Sequence, residues 1–459
     1  MDAEAPITDD EIRARFEPLL GAPMAVAVSG GADSMALMHI AQRALQLVPP
    51  QLSPPGRPRL MVLTVDHGLR PGSAEDAAWV ASRAEAAGLP CRILHWEGEK
   101  PKQGIQAAAR AARYRLMHEA LIEEARPYDK LQRLLLTAHH QEDQAETFLM
   151  RLARGSGIDG LSAMQSRALL QTPPTPEGAY AARLELRRPL LDLPKSRLVA
   201  TLREAGLTWR EDPSNDRHDF ERVRVRKAFA SLSDLGIDGA AIARSAARLS
   251  RARSSVMHQT MKAMQAHVDW NNGRFGAIPV GTFNDVPEEI AVRILKQLIG
   301  AYGGEAPEPR LSEIEGLVDR IRATTGRAWP TRAATLGGCR QDWRPGGDLR
   351  VWREAGRTAL PVMQIPPGTK SAVWDRRFEI SVPEDMGEAL EVRALGAAGW
   401  RALRSELPNL GKLRLPPGAA ATLPACWRAS SIIAVPGLPA PNSSLVQATF
   451  LRGLDRTEI

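Results

Sequence analysis

Five ionisable side chains crowd into eight residues at His139-His140-Gln141-Glu142-Asp143-Gln144-Ala145-Glu146. That density exceeds what helix capping needs, and it suits either a Mg²⁺ ion or a cationic substrate. Asp143 and Glu146 stand at i and i+3 where an amphipathic helical pattern begins, a place where acids also simply meet the helix dipole. Zinc is disfavoured, because adjacent histidines lack the i, i+4 spacing that turns two imidazoles to one helix face.

A second group has the make-up of an anion cradle. Ser29-Gly30-Gly31-Ala32-Asp33-Ser34 follows the apolar run Met24-Ala25-Val26-Ala27-Val28 and leads into a helical pattern. Gly30 and Gly31 permit a tight turn, and the amides that open the next helix favour phosphate. The plainer alternative is a small-residue turn with no ligand. Other phosphate signatures fail: there is no Gly-x-x-x-x-Gly-Lys-Ser/Thr. Gly155-Ser156-Gly157-Ile158-Asp159-Gly160 follows a helical pattern instead of a strand, so it reads as a loop.

Two further groups come between these. Asp66-His67-Gly68-Leu69-Arg70 follows a second apolar run, where His67 and Arg70 would face a nucleotide crevice or merely form a polar loop. Arg110 and Arg113, three apart, share one face of an Ala-rich helix and could clamp phosphates.

The elements that must position these residues alternate in kind. Strand-like runs at Met24 to Val28, Leu60 to Val65, Cys91 to His95 and Arg133 to Thr137 are separated by helical patterns at Ser34 to Leu47, Ser73 to Ala87 and Ile105 to Glu124. Such alternation predicts an α/β fold with a parallel sheet, whose ligands bind outside the carboxyl ends of the strands. Each group above falls at such an end or in the helix that follows. From about Asp234 to Thr325 the pattern is helical, with segments at Ile242 to Val268, Glu288 to Ile299 and Leu311 to Ile321. Beyond Trp329 strand-like pieces return, with a strand from Ala333 to Arg340, a turn at Arg344-Pro345-Gly346-Gly347 and a strand from Asp348 to Trp352. Three domains are expected: a catalytic one at 1–230, a helical one at 231–327 and a small mixed α+β one at 328–459.

Composition narrows the classes. The 459 residues are 44% hydrophobic and 25% charged, as in a globular protein, and no apolar run nears the ~20 residues a membrane span needs. With an acidic start and no basic leader, a cytoplasmic protein is expected. Cys91, Cys339 and Cys426 lie far apart, so no disulfide framework or iron–sulfur or zinc site is indicated. A net charge of +7 points toward a polyanionic partner, though Arg-rich composition alone also produces it.

The loop at 29–34 resembles the pyrophosphate-binding loop of the PP-loop, or N-type, ATP pyrophosphatases, which cleave ATP to AMP and pyrophosphate. Further motifs follow in order: Asp66-His67-Gly68-Leu69-Arg70, Ala109-Arg110 with Arg113-Tyr114, His139-His140 with Asp143-Gln144 and Glu146-Thr147, Arg188-Pro189-Leu190-Leu191 and Glu211-Asp212-Pro213-Ser214-Asn215. With the Arg-rich run from Arg222 to Lys227, they make about half the chain similar to the bacterial tRNA(Ile)-lysidine synthetases. Two departures stand out. Glu142 replaces the family's usual Asp, and Val223 replaces the Asn usual between the first two arginines of that run.

The resemblance implies ATP and Mg²⁺ as cofactors, with L-lysine and an isoleucine tRNA of CAU anticodon as substrates. Ser29, Gly30, Gly31, Ala32 and Ser34 would cradle pyrophosphate, with Asp33 on Mg²⁺ or the phosphates. His67 and Arg70 would line the nucleotide crevice, and Arg110 and Arg113 would offset charge at the transferred phosphate. Asp143 and Glu146 would bind the lysine amine and take its proton, beside His139 and His140. Arg222, Arg224 and Arg226 would contact substrate or tRNA phosphate. Two rivals are a PP-loop tRNA thiolation enzyme and an inactive tRNA-binding homologue. A homodimer is one option the sequence leaves open.

Overall fold

The computed structural model describes residues 4–47, 60–101, 103–123, 133–170, 184–210, 224–225, 229, 232, 235–324, 331–356, 359–383, 387–428, 430–438 and 446–451. The chain divides into two compact units, with the boundary between Ser254 and Ser255.

In the first unit, β1 (Met24–Ala27), β2 (Leu60–Asp66), β3 (Cys91–His95), β4 (Arg133–Leu136), β5 (Arg167–Leu170) and β6 (Leu184–Arg187) form one sheet in the order β3-β2-β1-β4-β6-β5. Its pairs are parallel, except that β5 runs antiparallel to β6. Side chains alternate across a strand, and here both faces are apolar. Met24, Val26, Leu60, Val62, Leu134 and Leu136 enter a core shared with α1 (Asp9–Phe16), α2 (Ala32–Leu47) and α7 (Lys195–Glu204). Ala25, Met61, Leu63 and Leu135 enter the opposite core, filled by Tyr114, Met117 and Leu121 of α4 (Ile105–Glu123). Helix α3 (Ser73–Ala86) adds Val80 and Ala84 to the first of these cores, so the sheet is covered on both sides as the alternation of patterns predicts.

Local chemistry fixes the ends of these helices. Thr8 and Glu11 form a capping box at α1, where the Thr8 hydroxyl accepts the Glu11 N–H and the Glu11 carboxylate accepts the Thr8 N–H at 3.0 Å. The same carboxylate receives two hydrogen bonds from the buried Arg197 guanidinium of α7, each 2.7 Å. Helix α5 (Gln141–Leu152) begins directly after the loop that ends β4, and α6 (Ile158–Leu161) is a single turn. Arg151 of α5 donates to the carbonyls of Gly160 and Ala163 at 3.0 Å each; Gly155 to Gly157 are loop as their context indicates, but Ile158 to Gly160, also read as loop, belong to α6.

The second unit takes up the chain within α8 (Gly239–His267). Strand β7 (Gly276–Pro279) pairs antiparallel with β10 (Asp348–Arg353), which continues through β9 (Cys339–Trp343) to β8 (Arg332–Leu336). After the one-turn α9 (Thr282–Asp285), helices α10 (Glu288–Tyr302) and α11 (Leu311–Arg322) pack on this sheet, with Ile294, Leu298, Leu317, Leu349 and Val351 fully buried together. Residues on both sides of position 328 therefore share one sheet and one core. The single strand expected from Ala333 to Arg340 is two strands, because Gly337 and Gly338 take φ of +57° and +70° and turn the chain into a hairpin. Two further sheets complete the unit. One is β11 (Met363–Ile365), β14 (Leu390–Ala394), β15 (Pro424–Arg428) and β16 (Ser431–Ala434), flanked by α12 (Gly396–Glu406) and α13 (Pro417–Ala421). The other is β12 (Ser371–Trp374), β13 (Phe378–Ser381) and β17 (Gln447–Phe450).

Candidate active site at the carboxyl ends of the strands

The loop leaving β1 closes on the side chain of Ser34. Its hydroxyl accepts the Ser29 N–H at 3.2 Å and donates to the Gly31 carbonyl at 3.0 Å, and Ser29 Oγ lies 3.3 Å away. Gly30 has φ of +90°, which favours glycine, and a Cβ there would also sit tightly against Val80 at 3.3 Å. Ala32 and Asp33 begin α2, whose first amides have no acceptor within the helix. The turn thus presents N–H groups and the positive end of a helix dipole, as an anion cradle requires.

Asp33 is the centre of a charged network that joins three helix starts. Its Oδ2 lies 3.5 Å from His140 Nε2 and 3.4 Å from Lys195 Nζ. His140 caps α5 and is buried; its Nδ1 bonds Glu142 Oε2 at 2.9 Å, and its Nε2 lies 3.4 Å from Asp143. Burial alone would discharge this imidazole, but the hydrogen bonds to Asp33 and Glu142 outweigh it and raise its pKa to about 10. The two carboxylates shift the opposite way. Burial pushes Asp33 up, yet His140 and Lys195 together hold it below its ordinary value. Glu142 is likewise lowered against burial by His140 and by the Lys195 amide.

Asp143 accepts the His140 N–H at 3.0 Å, and Glu146, one turn on, is buried with only 4% exposed. His139 is turned away to Thr137, with Nδ1 and Oγ1 3.0 Å apart. The acidic cluster therefore divides: Glu142 and Asp143 face His140, and Glu146 lies deeper on the same helix.

Beside the cradle, the loop after β2 is ordered by Asp66, which accepts the Gly68 N–H at 2.9 Å and the Ser73 hydroxyl. Arg113 reaches across from α4 to His67, with Nη2 and Nε2 3.3 Å apart. Burial and the Arg113 charge lower the His67 pKa to about 4, so its ring is neutral and accepts from the guanidinium. Arg110 lies over the Tyr114 ring at 5.3 Å. Arg70 is bound to Asp76, which Arg210 also holds while stacking on Trp79 at 5.3 Å. Arg224 is exposed in a short helical piece, whereas Arg222 and Arg226 lie outside the described residues.

Lys195 and Arg210 are the site residues that spacing did not reveal. Arg210 donates its N–H to the Gly30 carbonyl at 2.9 Å and so closes the cradle from behind. Leu193-Pro194-Lys195 does mark a helix start, with Pro194 as N-cap, but only the fold carries that start to Asp33, 162 positions away.

A family model described as a PP-loop domain matches residues 6–232. The tRNA(Ile)-lysidine synthase of Ruegeria pomeroyi is 34% identical over 427 residues, covering 93% of this chain and 91% of that protein. That of Bradyrhizobium diazoefficiens is 40% identical over 345 residues, 73% of this chain and 89% of that one. Among solved structures, the U34-tRNA thiolase NcsA of Methanococcus maripaludis is 16% identical over 53% of this chain and 79% of that one, at a TM-score of 0.41. Similarity of the first kind spans both units, and on it the chain belongs to the tRNA(Ile)-lysidine synthase family.

Proposed function

We propose that this ligase joins L-lysine to C2 of the wobble cytidine in the CAU anticodon of isoleucine tRNA, changing codon reading from AUG to AUA. The C2 oxygen is a poor leaving group, so ATP first adenylates it and releases pyrophosphate. The lysine ε-amine then attacks C2 and expels AMP. The observation that supports the reading is the meeting of an anion cradle with a half-buried acidic cluster around Asp33 and the buried His140.

In this reading Ser29, Ser34 and the amides from Gly30 to Asp33 hold the phosphates. Asp33 is the residue that would hold Mg²⁺: its Oδ1 is buried without a partner, and among the described residues no group of three His, Cys, Asp or Glu side chains forms a metal site by itself. One carboxylate completed by water and substrate phosphates suits Mg²⁺, which would supply charge neutralisation when bound. Arg110 and Arg113 offset charge at the transferred phosphate. Asp143 and Glu146 receive the lysine ammonium and take its proton before attack. Arg224, with Arg222 and Arg226, is assigned to RNA phosphate, and the second unit to the grip on the tRNA.

The thiolation alternative needs a reactive thiolate, and the cysteines are unsuited to it. Burial pushes Cys91 up to about 11 and Cys426 up to about 12, and the Cys339 thiol is buried against the Ile299 carbonyl at 3.4 Å. No helix among the described residues is long and apolar enough to cross a membrane, and we assign the enzyme to the cytoplasm with its tRNA. A homodimer gains no support. The test is incorporation of labelled lysine into a CAU-anticodon isoleucine tRNA transcript with Mg-ATP, against elongator methionine tRNA. Label in the first RNA alone is expected; equal label in both, or none, would overturn the assignment.

A further inference from the structure

We infer that Lys195 is a catalytic cation of the first half-reaction, transferring its charge from Asp33 to the departing pyrophosphate, and that Glu142 is the positioning residue that holds it there. The inference rests on the adenylating activity proposed above and names a residue that the motif pattern does not contain.

Three observations lead to it. First, the Lys195 ammonium lies 3.4 Å from Asp33 Oδ2 with half of its side chain exposed, so it stands at the cradle and is free to swing. Second, its backbone is fixed. The Glu142 carboxylate accepts the Lys195 N–H at 3.0 and 3.2 Å, and the neighbouring Gln141 N–H donates to the Leu193 carbonyl at 2.9 Å. These bonds staple the start of α7 to the start of α5. Third, Asp33 Oδ2 is already shared with His140 at 3.5 Å. A triphosphate entering the cradle offers Lys195 a more highly charged partner than a carboxylate it must share.

The step balances without a proton from Lys195. Cytosine O2 bonds to the α-phosphorus as the bond from that phosphorus to the α,β-bridging oxygen breaks, and the electron pair leaves on pyrophosphate. A flexible ammonium on a four-carbon stem can follow that charge outward, which a planar, rigid guanidinium does less well. The extra methylene of Glu142 has a use here. It lets one carboxylate span from α5 to the Lys195 amide and still bond His140 Nδ1 at 2.9 Å.

The experiment is single-turnover pyrophosphate release from Mg-ATP and tRNA in the full-length enzyme, with KM for ATP and for lysine measured in the complete reaction. Lys195→Ala should release pyrophosphate about 100-fold more slowly with an unchanged lysine KM, and Lys195→Arg should recover about tenfold of that loss. Glu142→Ala should be slow as well, but the double variant should be no slower than Lys195→Ala, because Glu142 acts through Lys195. Unchanged thermal unfolding of Lys195→Ala and Lys195→Arg separates chemistry from folding. Wild-type release by Lys195→Ala, or a double variant as slow as the product of the singles, would overturn the inference. A wild-type enzyme that releases no pyrophosphate would instead overturn the activity on which it rests.

Discussion

Asp143 meets two demands at once, since it caps α5 by accepting the His140 amide and also faces the His140 ring. Losing a cap costs about 1 kcal/mol, which a folded enzyme tolerates, whereas losing the carboxylate proposed to bind the amine would stop the second half-reaction. Asp143→Ala should therefore abolish lysine incorporation while leaving pyrophosphate release measurable; parallel losses of both would assign Asp143 a structural role instead. His67 makes a sharper prediction. Its folded pKa of about 4 lies below the ordinary value, so as pH falls the unfolded chain binds the proton first. The stability tied to a neutral His67 is complete above about pH 6.5 and is lost as pH falls toward 4. An NMR titration of the imidazole should show a midpoint near 4; one near 6.5 would refute the contact with Arg113.

Period and turn chemistry made the first unit legible at the level of elements. Four strands and three helices were visible from short apolar runs and helix starts, because a parallel sheet covered on both faces needs continuous apolar strands. Contacts made at a distance were hidden. Nothing in the local sequence shows that α7 brings Lys195 to Asp33, or that Arg197 of the same helix is buried against Glu11. Hidden too was the break at Gly337-Gly338, since a tight hairpin leaves apolar alternation nearly intact on either side. The α1–α7 contact can be tested by acid. Two hydrogen bonds from Arg197 lead the causes that set Glu11 at about 2, with burial opposing them. The unfolded carboxyl takes its proton first, near 4.5, so the stabilisation is full above that pH and disappears as pH falls to about 2. Glu11→Gln should remove this acid dependence and cost about 2 kcal/mol at neutral pH, once solvent screening at the partly exposed Glu11 is allowed for. An unchanged acid-unfolding profile would refute the pairing.

Across the whole molecule the charge is uneven. The 29 residues of α8 include no Asp or Glu, while Arg244 and Arg248 are exposed along it. With a net charge of +7, tRNA binding should weaken steeply with salt, each neutralised phosphate adding about −0.7 to −0.9 to the slope of log affinity against log salt. Replacing Arg244 and Arg248 with Glu should flatten that slope if α8 meets the RNA backbone; filter binding over a salt series would show it, and an unaltered slope would place the RNA elsewhere.

The order in which parts of the site leave the ribosome has a consequence for a newly made chain. The cradle at 29–34 and the acids at 142–146 emerge early, but the cation and the rear support of the cradle come from Lys195 and Arg210. At about 5–20 residues per second, a growing chain spends several seconds with a cradle loop that has neither. The cradle therefore gains its rear support and its neighbouring cation only once the chain has been made through Arg210.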